Sequence, residues 1–405
     1  MRVNILTQYY PPEIGAAQSR LSEMAERFVQ FGHSVTVITA MPNYPTGRIY
    51  KGYSGIYSRE RLRGVDVVRT FIYPTKMAHF GPRLANYLSF VVSSLIFGSF
   101  IVRQSDYLLV ESPPLFLGFS GYLLGQLKHS KLIFNVSDLW PESAVRLGVL
   151  SPDGLANKLS VRLEEFYYNH SFLITGQSRS ILSNINDRFP ELHTYHLSNG
   201  VDTKIFRPNK GSVKVRSLLG EDDKCIVLYA GLHGLAQGLD QLLSAAEALR
   251  EEKGFRFVLV GDGPEKKMLV QKAKQRGLKN VMFLEPRPKH EIPELLASAD
   301  LILIPLKTHI PGAVPSKIYE AMASGRPIII AASGEAGQIV QDHEAGLVTK
   351  PGDVRGLVRA LQTLKADRSL CKALGENGRR AAEQHFDRAN IVDRFIEYLK
   401  MNLEK

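Results

Sequence analysis

Short apolar runs alternate with longer stretches of helical periodicity along nearly the whole chain, a pattern that predicts parallel sheets covered by helices. In the first half the expected strands are Val3–Leu6, Ser34–Ile38, Val65–Arg69, Tyr107–Val110, Lys131–Val136, Phe172–Thr175 and Thr194–Leu197. Asn199–Asp202 then reads as a turn, and the polar, breaker-rich Phe206–Ser212 as a linker. The alternation resumes with strands at Cys225–Tyr229, Arg256–Val260, Val281–Leu284, Leu301–Ile304, Pro327–Ile330 and Ala345–Val348. The expected fold class is therefore α/β with two doubly wound domains, residues 1–200 and 201–387, followed by an amphipathic helix within 388–405. Such sheets bind ligands at the carboxyl ends of their strands, so the loops after strands are where chemistry is expected.

Composition narrows the partners. With 51 basic and 40 acidic residues the chain carries a formal charge of +11, which favours anionic ligands or surfaces. No nucleic acid is expected, because no binding module is recognisable and the aromatics are not interleaved with a basic stripe. The absence of G-x-G-x-x-G after the opening strand argues against a dehydrogenase. Two cysteines, Cys225 and Cys371, are too few for a disulfide framework or a Cys-rich metal site, and Met1–Gln8 reads as a buried strand without the features of a secretory signal. Both favour the cytoplasm. Leu84–Val102 carries no charge over 19 residues and sits between Arg83 and Arg103. Its polar members (Asn86, Ser89, Ser93, Ser94, Ser99) and the strand-like run that follows favour a packed helix with one apolar edge toward a membrane over a true span. Upstream, Arg48–Arg69 holds six basic and two acidic residues, to be read as a solvated loop or as a contact with anionic lipid headgroups, and so with the inner face of a cytoplasmic membrane.

The densest candidate chemistry is Pro311–Pro327 (PGAVPSKIYEAMASGRP), a turn-rich loop that opens a helix between two apolar strands. Val314, Pro315 and Ser316 place backbone amides at the helix start beside Lys317, which suits a diphosphate, and Glu320 follows one turn later, able to accept from hydroxyls such as those of a ribose. Four further loops follow strands. Gln8–Ala17 offers Glu13 and Gly15, whose missing Cβ lets backbone approach a phosphate or sugar. Gly231–Gly238 offers Gly231, His233, Gly234, Gln237 and Gly238. Asp262 and Gly263 follow the strand ending at Val260, and Arg287 follows the next. In the first half, Asp138 stands at a strand's carboxyl end, where it orients an acceptor hydroxyl or caps a helix. Trp140, the single tryptophan, stacks on a sugar or supports the loop.

Pro11–Thr39 and Pro311–Pro327 together resemble the retaining family-4 glycosyltransferases, and the Gln237–Gly238 form of the donor loop with Pro315–Lys317 is similar to bacterial enzymes of the fucosamine transferase type. The resemblance implies a GT-B fold of two facing Rossmann-like domains, with the terminal helix crossing back to the first. The first domain would bind the acceptor and the second a UDP-sugar. It implies transfer of an N-acetylated amino or deoxy-amino sugar to a lipid-linked saccharide in surface polysaccharide (O-antigen) synthesis, with Glu320 on the ribose. Many relatives carry an arginine, a lysine and a glutamate where this chain has Leu232, Gln237 and Gly312, which leaves Lys317, backbone amides, Arg287 and His233 to hold the diphosphate. Glu111 and Ser112 stand where many relatives place a histidine near the reacting carbon.

The expected chemistry leaves an additional negative charge on the departing diphosphate, so Lys317 and the helix start carry the main electrostatic task, with Glu320 and Asp138 as the other catalytic candidates. No metal or other cofactor is expected: Glu221-Asp222-Asp223, the nearest acidic triplet, precedes a strand, where it caps or solvates a loop. Two alternatives stand beside transfer: a nucleotide-sugar epimerase on the same plan, and a noncatalytic nucleotide-sugar-binding subunit, suggested by the three missing charges.

Overall fold

The computed structural model describes residues 1–403 except 14, 77–79, 147, 221–222 and 253. Two of the three acidic residues before the Cys225 strand, Glu221 and Asp222, thus lie outside the described residues. The chain divides into two compact units, Met1–Asn199 with Ala389–Lys405, and Gly200–Arg388.

The first unit is built on eight strands: β1 (Arg2–Leu6), β2 (Ser34–Ala40), β3 (Tyr57–Leu62), β4 (Val65–Thr70), β5 (Tyr107–Ser112), β6 (Lys131–Val136), β7 (Leu173–Gly176) and β8 (Thr194–His196). Their order is β3-β4-β2-β1-β5-β6-β7-β8, parallel throughout except that β3 runs antiparallel to β4. The interior strands are apolar on both faces because helices cover both. Along β1 and β2, Val3, Ile5, Val35 and Val37 enter one core with Met24 and Phe28 of the helix Ala16–Gln30; Leu6, Ile38 and Ala40 enter the other with Phe90 and Val91. The terminal helix Arg388–Met401 seals the first of these faces with Ile391, Val392, Phe395, Ile396 and Leu399. Its last turn accepts from the Tyr107 hydroxyl at the Leu399 carbonyl (2.8 Å), and Arg27 holds Asp393 with two bonds of 2.6 and 2.5 Å.

β3 was not expected. Its exposure alternates along YSRERL, so every second side chain is solvated and no apolar run marks it. Its presence corrects the reading of Arg48–Arg69 as a loop. Arg69 leaves the basic surface altogether: it is fully buried in β4, donating to Glu60 and to the Pro11 carbonyl, with its guanidinium 4.9 Å from the Tyr53 ring centre.

The second unit holds six parallel strands, β9 (Cys225–Ala230), β10 (Phe255–Val260), β11 (Val281–Leu284), β12 (Leu301–Pro305), β13 (Ile328–Ala331) and β14 (Gly346–Thr349), ordered β11-β10-β9-β12-β13-β14. Order reverses between β9 and β12, both starting outward from the centre, which opens a crevice at their carboxyl ends. The helix Ser316–Ala323 connects β12 to β13 and buries Ile318, Tyr319, Ala321 and Met322 in the core. That burial leaves Lys317 and Glu320 on the face turned away from the core.

Candidate functional site

The strand-end loops of the second unit are laced to one another by backbone bonds. Gly231 donates to the Val260 carbonyl, His233 to the Asp262 carbonyl (2.8 Å) and Glu265 back to the His233 carbonyl (2.9 Å), which ties together the loops after β9 and β10. Lys307 donates to the Ala236 carbonyl (2.9 Å), and the Gln241 amide to the Leu306 carbonyl (2.9 Å), which ties in the loop after β12. A Cβ on Gly263 would lie 2.4 Å from the His233 carbonyl oxygen, and one on Gly238 2.8 Å from Lys307 backbone; both glycines are required by this close approach.

Lys317 reaches into this assembly. Its ammonium stands 5.6 Å from the centre of the Tyr229 ring, and its side chain crosses Gly231. Burial lowers the Lys317 pKa, against the opposing pull of Glu320 one helical turn away. The amine makes no ion pair among the described residues. Pro315 provides no side-chain cap to the helix, so the N–H groups of Ser316 and Lys317 remain open beside that ammonium, while Val314 is buried beneath. A charged amine, open helix amides and glycine backbone are what an oxyanion of a diphosphate needs.

Tyr229, absent from the expected site, holds the loop by donating its hydroxyl to the Leu232 carbonyl at 2.6 Å. His233 is fully buried with neither ring nitrogen hydrogen-bonded among the described residues. Desolvation first, then Lys266 and Lys317, pull its pKa to about 4 against Asp262 and Glu285. The imidazole is therefore neutral and a wall of the loop, with Phe283 and Tyr229 as ring neighbours. Gly234 lies under the side chain of Gln237, and Asp262 turns its carboxylate to the Gly263 amide (2.8 Å). Arg287 is exposed beyond the edge strand β11 and leans toward Glu291 at 3.7 Å. Gly312 has φ 75°, a left-handed conformation that a side chain adopts only with strain.

In the first unit the strand-end residues form a buried polar network. Arg20 is nearly inaccessible and gives one guanidinium nitrogen to both oxygens of Glu111 (2.6 and 2.7 Å) and the other to Asn199 (2.8 Å). Asn135 and Ser137 also donate to Glu111 at 2.6 Å, and Thr175 to Asn135 at 2.7 Å. Glu111 is thus held by internal partners, and Ser112 beside it is buried. Glu13 is also an anchor: its carboxylate accepts from the backbone of Asn43 and Tyr44 (2.8 Å each) and Tyr10 (3.3 Å), pinning the loop after β2, while burial raises its pKa. Asp138 is half-buried, accepts from the Ser143 hydroxyl (2.9 Å), and has its pKa raised by burial. Trp140 is half-buried and packs against the core. Gly15 begins the first helix with the Gln18 amide folded over it. Arg20 was missed although a signal existed: it falls on the 20-24-28 stripe with Met24 and Phe28, where a charge has no solvent.

Helix Phe80–Ile101 packs into the core that holds Leu6 and Ile38 through Phe90 and Val91, with Gln8 donating to Asn86 (2.9 Å), and Ser94 and Ser120 bonded at 2.9 Å. It is long and apolar enough to cross a membrane, yet here it covers a sheet. Its outer edge exposes Leu88 (42%), Val92 (56%), Ile96 (47%) and Phe100 (84%) at a four-residue interval.

Residues 214–381 match the family described as glycosyl transferases group 1. A putative colanic acid biosynthesis glycosyl transferase of Escherichia coli is 27% identical over 421 residues, covering 99% of this chain and 100% of that one. Among solved structures, sucrose-phosphate synthase of Thermosynechococcus elongatus matches with a TM-score of 0.80 at 17% identity, over 100% of this chain and 99% of its own. Anabaena HepE in complex with UDP-glucose matches with a TM-score of 0.75 at 20% identity, over 99% and 100%. The two units together are the GT-B fold, and the chain has homologues in bacterial polysaccharide biosynthesis.

Proposed function

We propose that the protein is a retaining glycosyltransferase that moves an N-acetylated amino or deoxy-amino sugar from a UDP-sugar to a lipid-linked saccharide in surface polysaccharide synthesis. The observation that carries this reading is the Lys317 ammonium, unpaired among the described residues, lying across Gly231 beside the open helix amides of Ser316 and Lys317. As the anomeric bond breaks, negative charge grows on the departing diphosphate. A fixed ammonium and fixed amides stabilise it without reorganising. Glu320, on the same helix face, is assigned to the ribose hydroxyls. The departing phosphate oxygen takes the proton of the attacking hydroxyl from the same face, so no strong protein base and no metal is required. Asp138, at the end of β6 with its pKa raised by burial, is assigned to orienting the acceptor.

The acceptor's lipid points to the cytoplasmic face of a membrane, and the exposed edge of helix Phe80–Ile101, flanked by Arg103 and Lys128, is assigned to that contact. The test is turnover of purified full chain with a panel of UDP-sugars and a lipid-linked saccharide, scoring UDP release and the anomeric configuration of the product. Acceptor-dependent release with retained configuration is expected. Donor isomerisation without acceptor would make it an epimerase, and donor binding without turnover across the panel a noncatalytic subunit.

A further inference from the structure

All strands of the second sheet are parallel, so their amino ends share one edge, opposite the edge that carries Lys317. There the structure has a groove of about 970 Å³ at the starts of β9 and β12, walled by helix Arg368–His385 and by Arg216 of helix Val213–Leu219. The volume lies in the range of small-molecule sites. Eight Lys or Arg line it against four Asp or Glu.

The pairing inside the groove leaves positive charge over. Arg216 binds Asp300 (3.0 Å) and Arg379 binds Glu383 (2.6 Å), while Lys372 and Glu376 are 3.8 Å apart in solvent. Arg326, Arg368 and Arg380 make no ion pair among the described residues. Arg326 is the most telling of the three. Its guanidinium donates to the Ala297 carbonyl, its Nε is buried without a partner among the described residues, and the nearby carboxylate of Asp300 already serves Arg216 and the Ile226 amide (2.7 Å). Two guanidiniums that share one carboxylate in a concave wall repel each other, and the low surrounding dielectric strengthens the repulsion. Arg368, Lys372 and Arg380 lie on one stripe of their helix, at intervals of four and eight residues, and line the same wall.

We propose that this groove is a second anion site, separate from the donor loops, and that it takes a small solute with at least two linked phosphates. Arginine forks match phosphate oxygens two at a time, and a diphosphate spans more than one of them. The site is joined to the other edge by one short helix: Arg379 donates to the Ala323 carbonyl at 2.7 Å, at the end of Ser316–Ala323 whose beginning carries Lys317.

The inference is independent of the transfer reaction and is tested without it. Inorganic pyrophosphate is titrated calorimetrically into the full chain bearing Lys317→Ala, at physiological salt. One-site binding is expected, at least tenfold tighter than for orthophosphate, and at least tenfold weaker once Arg368→Glu and Arg380→Glu are added. Both arginines are exposed, so the fold should persist; Arg368→Gln with Arg380→Gln serves if it does not. Equal affinity with and without the charge changes overturns the site. So does equal heat from sodium sulfate at matched ionic strength, which would reduce the groove to an ion atmosphere. UDP binding to the Lys317-intact chain should be unchanged by the Arg368 and Arg380 substitutions.

Discussion

The Lys317 side chain occupies the space that a Cβ on Gly231 would need: such a carbon would lie 2.3 Å from Cε and 2.6 Å from Nζ. Gly231 also sits at φ 147°, in the region that disfavours side chains. Gly231→Ala should therefore displace the amine and remove the effect proposed for it on a leaving diphosphate. Lys317→Ala should lower kcat by about 10²–10³-fold, the usual loss for one oxyanion donor, with little change in Tm. Gly231→Ala should lose a similar factor and in addition about 1–3 kcal/mol of stability from backbone strain. Full activity in Gly231→Ala would separate the amine from the chemistry.

His233 gives a pH signature. Its pKa is about 4 in the folded protein against an ordinary value of 6.5, so the unfolded chain takes up the proton first. The stability it contributes is complete above pH 6.5 and is lost as pH falls toward 4, a loss on the order of 3 kcal/mol by linkage. His233→Met should flatten the fall of Tm between pH 6.5 and 4 while leaving the value near pH 8 within a few degrees. An unchanged slope in that variant would mean that another group titrates there.

Much of the fold could be read from sequence because parallel strands buried on both faces are continuous apolar runs: Cys225–Tyr229 and Leu301–Ile304 announce themselves by composition alone. β3 could not, since an edge strand with one solvated face and three arginines or glutamates in six residues looks like a loop. In the candidate site, the helix start at Pro315–Ser316 was legible because a proline-containing turn opens an apolar-periodic run there. The internal engagement of Glu13 and Glu111 was not, because a carboxylate's partners lie 30 and 91 residues away in sequence.

The Arg20–Glu111 pair should behave as a buried charge couple. Arg20→Met alone leaves a carboxylate among groups that offer only neutral bonds, and Glu111→Leu alone leaves a guanidinium; each should cost about 3–5 kcal/mol. The double variant, which buries neither charge, should cost less than the sum of the two. Denaturant unfolding of the three variants measures this, and additive losses would show that the two side chains do not act as a couple.

The exposed edge of helix Phe80–Ile101 makes the last prediction. Val92, Ile96 and Phe100 are 56%, 47% and 84% exposed, and burying the surface that remains exposed in a lipid interface gains roughly 1–2.5 kcal/mol each. Arg103 and Lys128 lie beyond the helix end, where anionic headgroups add attraction of about 1 kcal/mol per charge. Vesicles with one-third anionic lipid should sediment the wild-type chain, and Val92→Glu with Phe100→Glu should lower the bound fraction by at least tenfold without altering Tm, since neither side chain enters the core. Raising salt should weaken only the headgroup part, because the Debye length shrinks while apolar burial does not depend on it. A wild-type chain that stays in the supernatant, or a double variant that sediments equally, would leave the stripe without a lipid role and return the helix to a purely sheet-covering one.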